Sequence, residues 1–164
     1  MKYFIVGFMA SGKSRFAKKL GQTWKLNVLD SDELISKKEG MDIPRIFSVK
    51  GEKYFRNLEY ETMTSSLHAD MDFVMSTGGG LPCHHNLMEA MKDAGKTIYL
   101  KLPFEMLLSR LVQNPGNRPL ATNSSKKDLE ELFVQREPVY ELADYVLDDN
   151  ANPIEQLEAL INSM

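Results

Sequence analysis

The chain has 164 residues, of which 43% are hydrophobic and 26% charged, a composition typical of one soluble globular domain. Its formal net charge of -3 provides no overall positive field for nucleic acid or for an acidic membrane surface, so we expect neither partner. The single cysteine, Cys83, excludes an intrachain disulfide framework. No apolar run is long enough for a signal peptide or a membrane-spanning helix, and we therefore expect a cytoplasmic protein.

Short apolar runs alternate with stretches of helical spacing along the whole chain. The apolar runs predict strands, in chain order, at Tyr3–Val6, Asn27–Leu29, Phe73–Met75, Thr97–Leu102 and Tyr145–Leu147. Helical spacing predicts helices at Ser14–Trp24, over 33–69 with interruptions near Gly40, Pro44 and Gly51, and at Leu87–Lys92, Phe104–Val112, Leu129–Tyr140 and Pro153–Ile161. The stretch 114–125, rich in Asn, Pro, Gly and Ser, predicts a mobile loop. This alternation predicts an α/β fold with a parallel sheet covered on both faces and ligands at the carboxyl ends of its strands.

The first strand is followed by residues 7–14, GFMASGKS, which fit the pattern G-x-x-x-x-G-K-[ST]. In this phosphate loop the glycines let backbone N–H groups face phosphate oxygens, and the next helix points its positive end at the same anion. Lys13 would supply charge to the β- and γ-phosphates, and the Ser14 hydroxyl would bind Mg²⁺. A plain glycine turn is the alternative, but the preceding strand and following helix favour nucleotide binding. The predicted nucleotide contacts in this segment are Ala10, Ser11, Gly12, Lys13, Ser14 and Arg15.

Two carboxylates, Asp30 and Asp32, follow the second strand, where a loop would open over the phosphates. A carboxylate there can hold Mg²⁺ through water, orient a substrate hydroxyl or accept its proton. Helix capping by Ser31 or Asp32 explains the same residues equally well on local sequence, and the phosphate loop favours the functional interpretation. The third strand lacks the terminal aspartate that enzymes with this loop commonly use beside the metal. Asp30 is therefore the predicted substitute.

Three arginines and a glycine triplet complete the candidate set. Arg56, Arg118 and Arg136 can each bind a carboxylate or phosphate through two parallel hydrogen bonds, although each one alone also fits a solvated surface charge. Gly78–Gly80 follows the third strand and can let a ligand approach the backbone closely, or it can form a flexible turn. His84 and His85, which come next, fit an exposed turn better than a metal site.

Taken together, these motifs resemble the shikimate kinase family over essentially the whole chain. The motifs are, in order, Gly7–Ser14, Asp30-x-Asp32, Phe55-Arg56-x-x-Glu59, Gly78–Gly80, Arg118-Pro119-Leu120 and Arg136-x-Pro138-x-Tyr140. The resemblance implies a three-layer P-loop fold with a five-stranded parallel sheet in the order 2-3-1-4-5. It implies one kinase domain over 1–164, with a substrate-binding helical region at about 31–61 and a lid at about 112–125. The implied reaction is ATP-dependent phosphorylation of the shikimate 3-hydroxyl, giving shikimate 3-phosphate and ADP, in aromatic amino-acid biosynthesis.

The resemblance also assigns roles to individual residues. Shikimate would be bound by Asp32, Arg56, Gly78, Gly79, Gly80 and Arg136, with both arginines on its carboxylate and Asp32 at the reacting hydroxyl. The catalytic residues would be Lys13, Asp32 and Arg118, the last reaching the phosphates from the lid. Mg²⁺ would be held by Ser14 and, through water, by Asp30. Arg110 and Pro153 would enclose the adenine ring of ATP, and we expect a monomer.

The chain departs from the family at three positions. It has Ala10 where the family usually has Gly, Arg15 where it has Thr, and Ala121 where the lid often has Leu. Ala10 keeps a small volume but loses backbone freedom, so a slightly different loop geometry is expected. The alternatives from other classes are a P-loop kinase for gluconate or a nucleoside monophosphate, and a non-catalytic sensor of nucleotide or shikimate.

Overall fold

The structure is a computed structural model that describes residues 1–114, 124–148 and 151–164. In these ranges five strands form one sheet in the order β2-β3-β1-β4-β5, with every neighbouring pair parallel. The strands are β1 Lys2–Val6, β2 Asn27–Asp30, β3 Phe73–Ser76, β4 Lys96–Leu100 and β5 Tyr145–Leu147. The predicted fold class and strand order are confirmed.

The helices connect the strands and cover both faces of the sheet. They are α1 Lys13–Trp24, α2 Ser31–Glu39, α3 Ile43–Lys50, α4 Glu52–Leu67, α5 Leu87–Ala94, α6 Phe104–Gln113, α7 Lys126–Tyr140 and α8 Pro153–Asn162. A short 3₁₀ turn, Leu81–Cys83, follows the glycine triplet. None of the helices in the described ranges is both long and apolar enough to cross a bilayer.

The alternation of side chains along each strand builds two separate cores. In β1, Phe4 and Val6 join the core on one face of the sheet, while Ile5 joins the core on the other. Because both faces are covered, the central strands β1, β3 and β4 are mainly apolar, as expected for a parallel sheet. A third, smaller cluster includes Ile35 of α2 and Phe55 of α4. It gives the helical region after β2 its own apolar support.

The second strand runs directly into a helix, which corrects the prediction of a loop at residues 30–32. Asp30 is the last residue of β2 and also the N-cap of α2, because its Oδ1 accepts hydrogen bonds from the backbone of Asp32 at 3.0 Å and Glu33 at 3.3 Å. Capping by Ser31 or Asp32 is therefore wrong. Asp32 lies in the first turn of α2, so its carboxylate serves no cap.

Other element boundaries differ from the prediction by a few residues. The fourth strand ends at Leu100 rather than Leu102. Helix α7 begins at Lys126 rather than Leu129, because Ser125 and Asp128 form a capping box ahead of the apolar spacing that was used to place it. Gly21 lies inside α1, and a Cβ there would lie 2.2 Å from Val28, so this glycine permits close packing of the helix against the sheet.

Most of the predicted lid lies outside the described residues, and so does Arg118. The two flanks are described: α6 ends at Gln113 with Asn114 as its C-cap, and Ser125 caps α7. Helices α6 and α7 thus bracket the segment that carries Arg118.

Candidate active site

A cleft of about 590 Å³ opens at the carboxyl ends of β1, β2 and β3. One side is formed by the phosphate loop and the start of α1, and the other by α2, α4 and the glycine triplet. Arg136 of α7 closes one end. This is the position that the parallel sheet predicts for a ligand, and the predicted phosphate and acceptor residues meet there.

The phosphate loop has the shape of an anion cradle. Gly12 is left-handed, with φ 90°, and Lys13 begins α1 directly after it, so the positive end of the helix faces the loop. The Lys13 Nζ lies within the loop and donates a hydrogen bond to the Phe8 carbonyl at 2.9 Å. The hydroxyl of Ser11 is buried and has no hydrogen-bond partner in the described ranges. Loop and helix therefore present a charged amine and a helix terminus to one volume.

Ala10 adopts a left-handed backbone with φ 65°, a conformation that favours glycine. We expect Ala10→Gly to raise the free energy of unfolding by about 1 kcal/mol, or roughly 2–4 °C in Tm, by relieving this strain. Ala159→Gly, at an exposed position inside α8, is the matched control and should lower Tm because it only loses helix propensity. Thermal unfolding followed by circular dichroism measures both, and a lower Tm for Ala10→Gly would contradict the strain.

Three side chains with oxygen atoms of the kind that hard metal ions prefer lie together beside the phosphate loop. The Ser14 hydroxyl donates to Asp30 Oδ2 at 2.7 Å and lies 3.1 Å from the Ser76 Oγ. Asp30 and Ser76 are paired residues at the ends of the neighbouring strands β2 and β3. Hydroxyl and carboxylate oxygens suit Mg²⁺, which in kinases is usually held by few protein groups together with substrate phosphates. The residues present therefore fit a magnesium ion at this corner.

Asp32 places a carboxylate oxygen on the side of the cleft that is formed by α2, α4 and the glycine triplet. Its Oδ1 is buried without a hydrogen-bond partner among the described residues. Burial, reinforced by the nearby charge of Asp30, raises the pKa of Asp32 to about 6. The positive charges of Lys13 and Arg56 oppose this rise only in part. A carboxylate with a pKa near neutrality and a free oxygen is suited to accept a proton.

Arg56 is held by two glutamates of its own helix. Its Nη1 lies 2.7 Å from Glu59 Oε2, and its Nη2 lies 3.2 Å from the exposed Glu52. Glu59 is 1% exposed, and burial raises its pKa to about 7 although the Arg56 charge lowers it. Both acids fix the direction of the guanidinium, while the Arg56 Nε stays buried without a partner in the described part of the chain.

The glycine triplet runs between these charged groups, and a Cβ on its first or last residue would crowd them. A Cβ on Gly78 would lie 2.9 Å from Glu59 Oε1 and 3.1 Å from Asp32 Oδ1. A Cβ on Gly80 would lie 2.5 Å from Arg56 Nη1 and 2.8 Å from Arg136 Nη2. A side chain at either position would have to displace these charged groups, so glycine fits their present arrangement.

Arg136 is a buried cation whose positive charge opposes the rise in the pKa of Glu59. It is 5% exposed, and in the described ranges it forms no ion pair with a carboxylate. Its guanidinium carbon lies 6.0 Å from the centre of the Phe8 ring, at the outer limit of a cation–π contact. A buried charge is costly unless something neutralises it, so this end of the cleft is suited to an anion.

Comparison with known proteins identifies the family. The family model described as shikimate kinase matches residues 9–164. The chain belongs to the shikimate kinase family. It is 36% identical to the shikimate kinase of Aquifex aeolicus, over 100% of this chain and 96% of that protein. It is 37% identical to one from Clostridium botulinum, over 97% of this chain and 93% of that protein.

Solved structures agree with this assignment. The crystal structure of the Aquifex aeolicus shikimate kinase matches with a TM-score of 0.84 at 34% identity, over 99% of this chain and 95% of that one. The Acinetobacter baumannii shikimate kinase in complex with shikimate matches with a TM-score of 0.86 at 31% identity, over 99% and 90%. A Sinorhizobium meliloti gluconokinase, at 12% identity and a TM-score of 0.60, shares the fold alone.

Membership of the shikimate kinase family settles the class of reaction. The chain is a kinase, a phosphotransferase that uses ATP and acts on an alcohol group, and the family's activity is the phosphorylation of shikimate. The family and activity expected from the sequence motifs are confirmed.

Arg110 and Pro153, the two residues expected near adenine, differ in their contact with the candidate site. Arg110 of α6 reaches the phosphate loop, where its Nη1 donates to the Ala10 carbonyl at 3.1 Å. Pro153 occupies the first turn of α8, as predicted for a helix start, and its place beside adenine stays a prediction. Arg15 is exposed at the mouth of the cleft.

Several residues of the site were not selected from the sequence. Glu59 was visible only as part of the motif Phe55-Arg56-x-x-Glu59, and its spacing of three from Arg56 on a helix was the signal for an ion pair. Ser31 is fully buried and its Oγ accepts from the Gly78 N–H at 2.9 Å. Ser76 and Ser31 carried no signal, because their role depends on which strands become neighbours.

Proposed function

We propose that this chain transfers the γ-phosphoryl group of ATP to the 3-hydroxyl of shikimate within this cleft. The observation that carries the proposal is the buried Arg136, which lacks a carboxylate partner in the described ranges and faces the glycine triplet. A buried cation beside the glycine triplet favours an acceptor that carries an acidic group. The membership of the shikimate kinase family and the solved complex of a relative with shikimate support the choice of acid.

The acceptor half of the proposed site binds the acid at one end and its hydroxyl at the other. Arg136 and Arg56 bind the carboxylate, since guanidinium groups pair with carboxylates through parallel hydrogen bonds. Asp32 orients the reacting hydroxyl and takes its proton as the bond to phosphorus forms. The backbone of Gly78, Gly79 and Gly80 lines the acid between them. The helical region at about 31–61 is therefore the proposed substrate-binding region.

The donor half positions the triphosphate and neutralises its charge. Phosphoryl transfer relies on alignment and electrostatic stabilisation more than on covalent chemistry. Lys13 stabilises charge on the phosphoryl group, and Ser14 with Asp30 would hold Mg²⁺, which neutralises the β- and γ-phosphate oxygens when bound. We propose that Arg118 joins from the lid at about 112–125, that the lid excludes water, and that Arg110 and Pro153 bracket adenine.

All of the groups in this proposal come from one chain, so no second subunit is needed to complete the site. We propose accordingly that the protein acts as a monomer, and that it works in the cytoplasm, where ATP is available. Sedimentation velocity would test the first part, since a dimer at assay concentrations contradicts it.

A coupled ADP-release assay across a panel of acceptors tests the proposed reaction. Shikimate should exceed gluconate, nucleoside monophosphates and water in kcat/KM by at least about 10²-fold, because buried charged groups reject acceptors that leave them unpaired. Faster turnover with another member of the panel would show a kinase of different specificity. Nucleotide binding without turnover of any acceptor would show a sensor.

Arg136→Ala should raise the KM for shikimate by about 10- to 100-fold, the loss expected when a charged hydrogen-bonded pair is removed. The KM for ATP should change by less than about threefold, because the phosphate loop is not altered. Steady-state kinetics with each substrate varied in turn separates the two values. Lys127→Ala, at an exposed cation of the same helix α7, is the matched control and should leave both values unchanged. Equal increases for both substrates would contradict carboxylate binding by Arg136.

A further inference from the structure

The backbone hydrogen bonds of the glycine triplet involve its carbonyl groups more than its N–H groups. Its carbonyl groups all accept hydrogen bonds: Gly78 from the Leu81 N–H at 3.1 Å, Gly80 from the Cys83 N–H at 3.0 Å, and Gly79 from the Tyr140 hydroxyl. The Gly78 N–H donates to Ser31. In the described part of the chain, the N–H groups of Gly79 and Gly80 donate to no acceptor. Two successive N–H groups without an acceptor are available to donate to an anion.

The hydrogen bond from Tyr140 sets the direction of one of these amides. In a trans peptide the carbonyl of one residue and the N–H of the next point in opposite directions. Tyr140 is fully buried in the core between the sheet and α7, so it draws the Gly79 carbonyl toward the core. The Gly80 N–H is thereby turned away from the core. It lies at the residue on which the guanidinium groups of Arg56 and Arg136 converge.

We propose that Tyr140 is a positioning residue for substrate specificity: its hydroxyl holds the Gly79–Gly80 peptide so that the Gly80 N–H donates to the carboxylate of the acceptor acid. This inference rests on the proposed function, since it requires an acid as acceptor. Tyr140 and Arg136 lie one turn apart on α7. One helix therefore supplies a charged group directly and a backbone donor through the triplet.

The ionisation of Tyr140 is compatible with this role. Burial raises the pKa of the Tyr140 hydroxyl above its usual value, against the charge of Arg136, which lowers it. The hydroxyl therefore stays protonated and able to donate across the working range of a kinase. The contribution of Tyr140 to acid binding should then be independent of pH between about 6 and 9.

Tyr140→Phe tests the proposal because it removes only the hydroxyl and keeps the ring that packs against Tyr99, 5.3 Å away between centroids. We expect shikimate to bind about 3- to 10-fold more weakly by isothermal titration calorimetry, as for the loss of one hydrogen-bond donor. The KM for shikimate should rise by the same factor, while the KM for ATP stays within about twofold of the wild-type value. The uncharged carboxamide analogue of shikimate should lose only about twofold, because its hydrogen bonds are not charge-assisted.

Tyr99→Phe is the matched control, since it removes the hydroxyl of the other buried ring in the pair and should leave shikimate binding unchanged. Unchanged binding in Tyr140→Phe, or an equal loss for shikimate, its carboxamide and ATP, would overturn the positioning role and leave the proposed function intact. Absence of shikimate binding and turnover in the wild-type protein would overturn both.

Discussion

Asp32→Asn is expected to lower kcat by about 10²- to 10⁴-fold, the contribution of a well-placed general base. The substitution keeps the shape and the buried position of the side chain but removes its ability to take a proton. In the wild-type protein kcat/KM should fall as the pH drops below about 6, because protonation of Asp32 then removes the base. The residual kcat/KM of the variant should not show this fall at acidic pH.

The same substitution should stabilise the protein at high pH. The pKa of Asp32 is raised from 3.8 to about 6 in the folded state, so the folded protein binds this proton more tightly than the unfolded chain. Its contribution to stability is therefore fully present below pH 3.8 and is lost as the pH rises through 6. An uncharged amide avoids that loss. We expect Asp32→Asn to gain about 1 kcal/mol in the free energy of unfolding at pH 8, and nothing near pH 4.

Urea unfolding at the two pH values and ADP-release kinetics measure these opposite effects on one variant. Asp93→Asn makes the same chemical change at an exposed position of α5 and should alter neither activity nor the pH profile. A kcat within about threefold of wild type would show that Asp32 does not act on the hydroxyl.

Lys13→Met is expected to lower kcat by about 10³-fold or more while leaving the fold intact. Preorganised donors aimed at developing charge contribute about 10²- to 10³-fold each, and Lys13 also carries a full charge. Methionine retains the length of the buried stem, so the loss is confined to the amine and its interactions, among them the hydrogen bond to the Phe8 carbonyl. Lys13→Ala should show the same loss of turnover with a larger loss of stability, because it leaves a cavity.

Circular dichroism reports the fold of both Lys13 variants, and the coupled assay reports their turnover. Lys18→Ala, on the exposed face of α1, is the matched control and should retain wild-type kinetics. Turnover near the wild-type rate in Lys13→Met would contradict the assignment of the phosphate loop.

Most of the fold followed from local patterns. The central strand β1 reads as a continuous apolar run because it is buried on both faces, and Phe4, Ile5 and Val6 all lie at 0% exposure. Boundaries were missed where a local hydrogen bond outweighs hydrophobic spacing. The capping box at Ser125 starts α7 early, and Asp30 ends β2 by capping α2 at once. Such bonds depend on backbone geometry that spacing does not contain.

The part of the site whose residues are contiguous in the sequence was easier to predict than the part whose residues lie far apart in the chain. The phosphate loop is one continuous segment, so its chemistry could be inferred without a fold. The acceptor half depends on pairs far apart in the chain, such as Ser31 with Gly78 and Tyr140 with Gly79. Burial matters as much as pairing. The sequence could name Arg136 as an arginine, but it could not show that the charge is buried and lacks a carboxylate partner in the described ranges.

The sequence by itself determined the family, the strand order that the family implies and the position of the phosphate loop, because this loop is a contiguous motif. The tertiary structure decided which groups face one another. It brought β2 beside β3, so that Asp30, Ser14 and Ser76 meet, and it placed α7 against the glycine triplet, so that Tyr140 orients a backbone amide. It also raised the pKa of Asp32 by removing water from the carboxylate. These properties arise from long-range packing and desolvation, and no local pattern contains either.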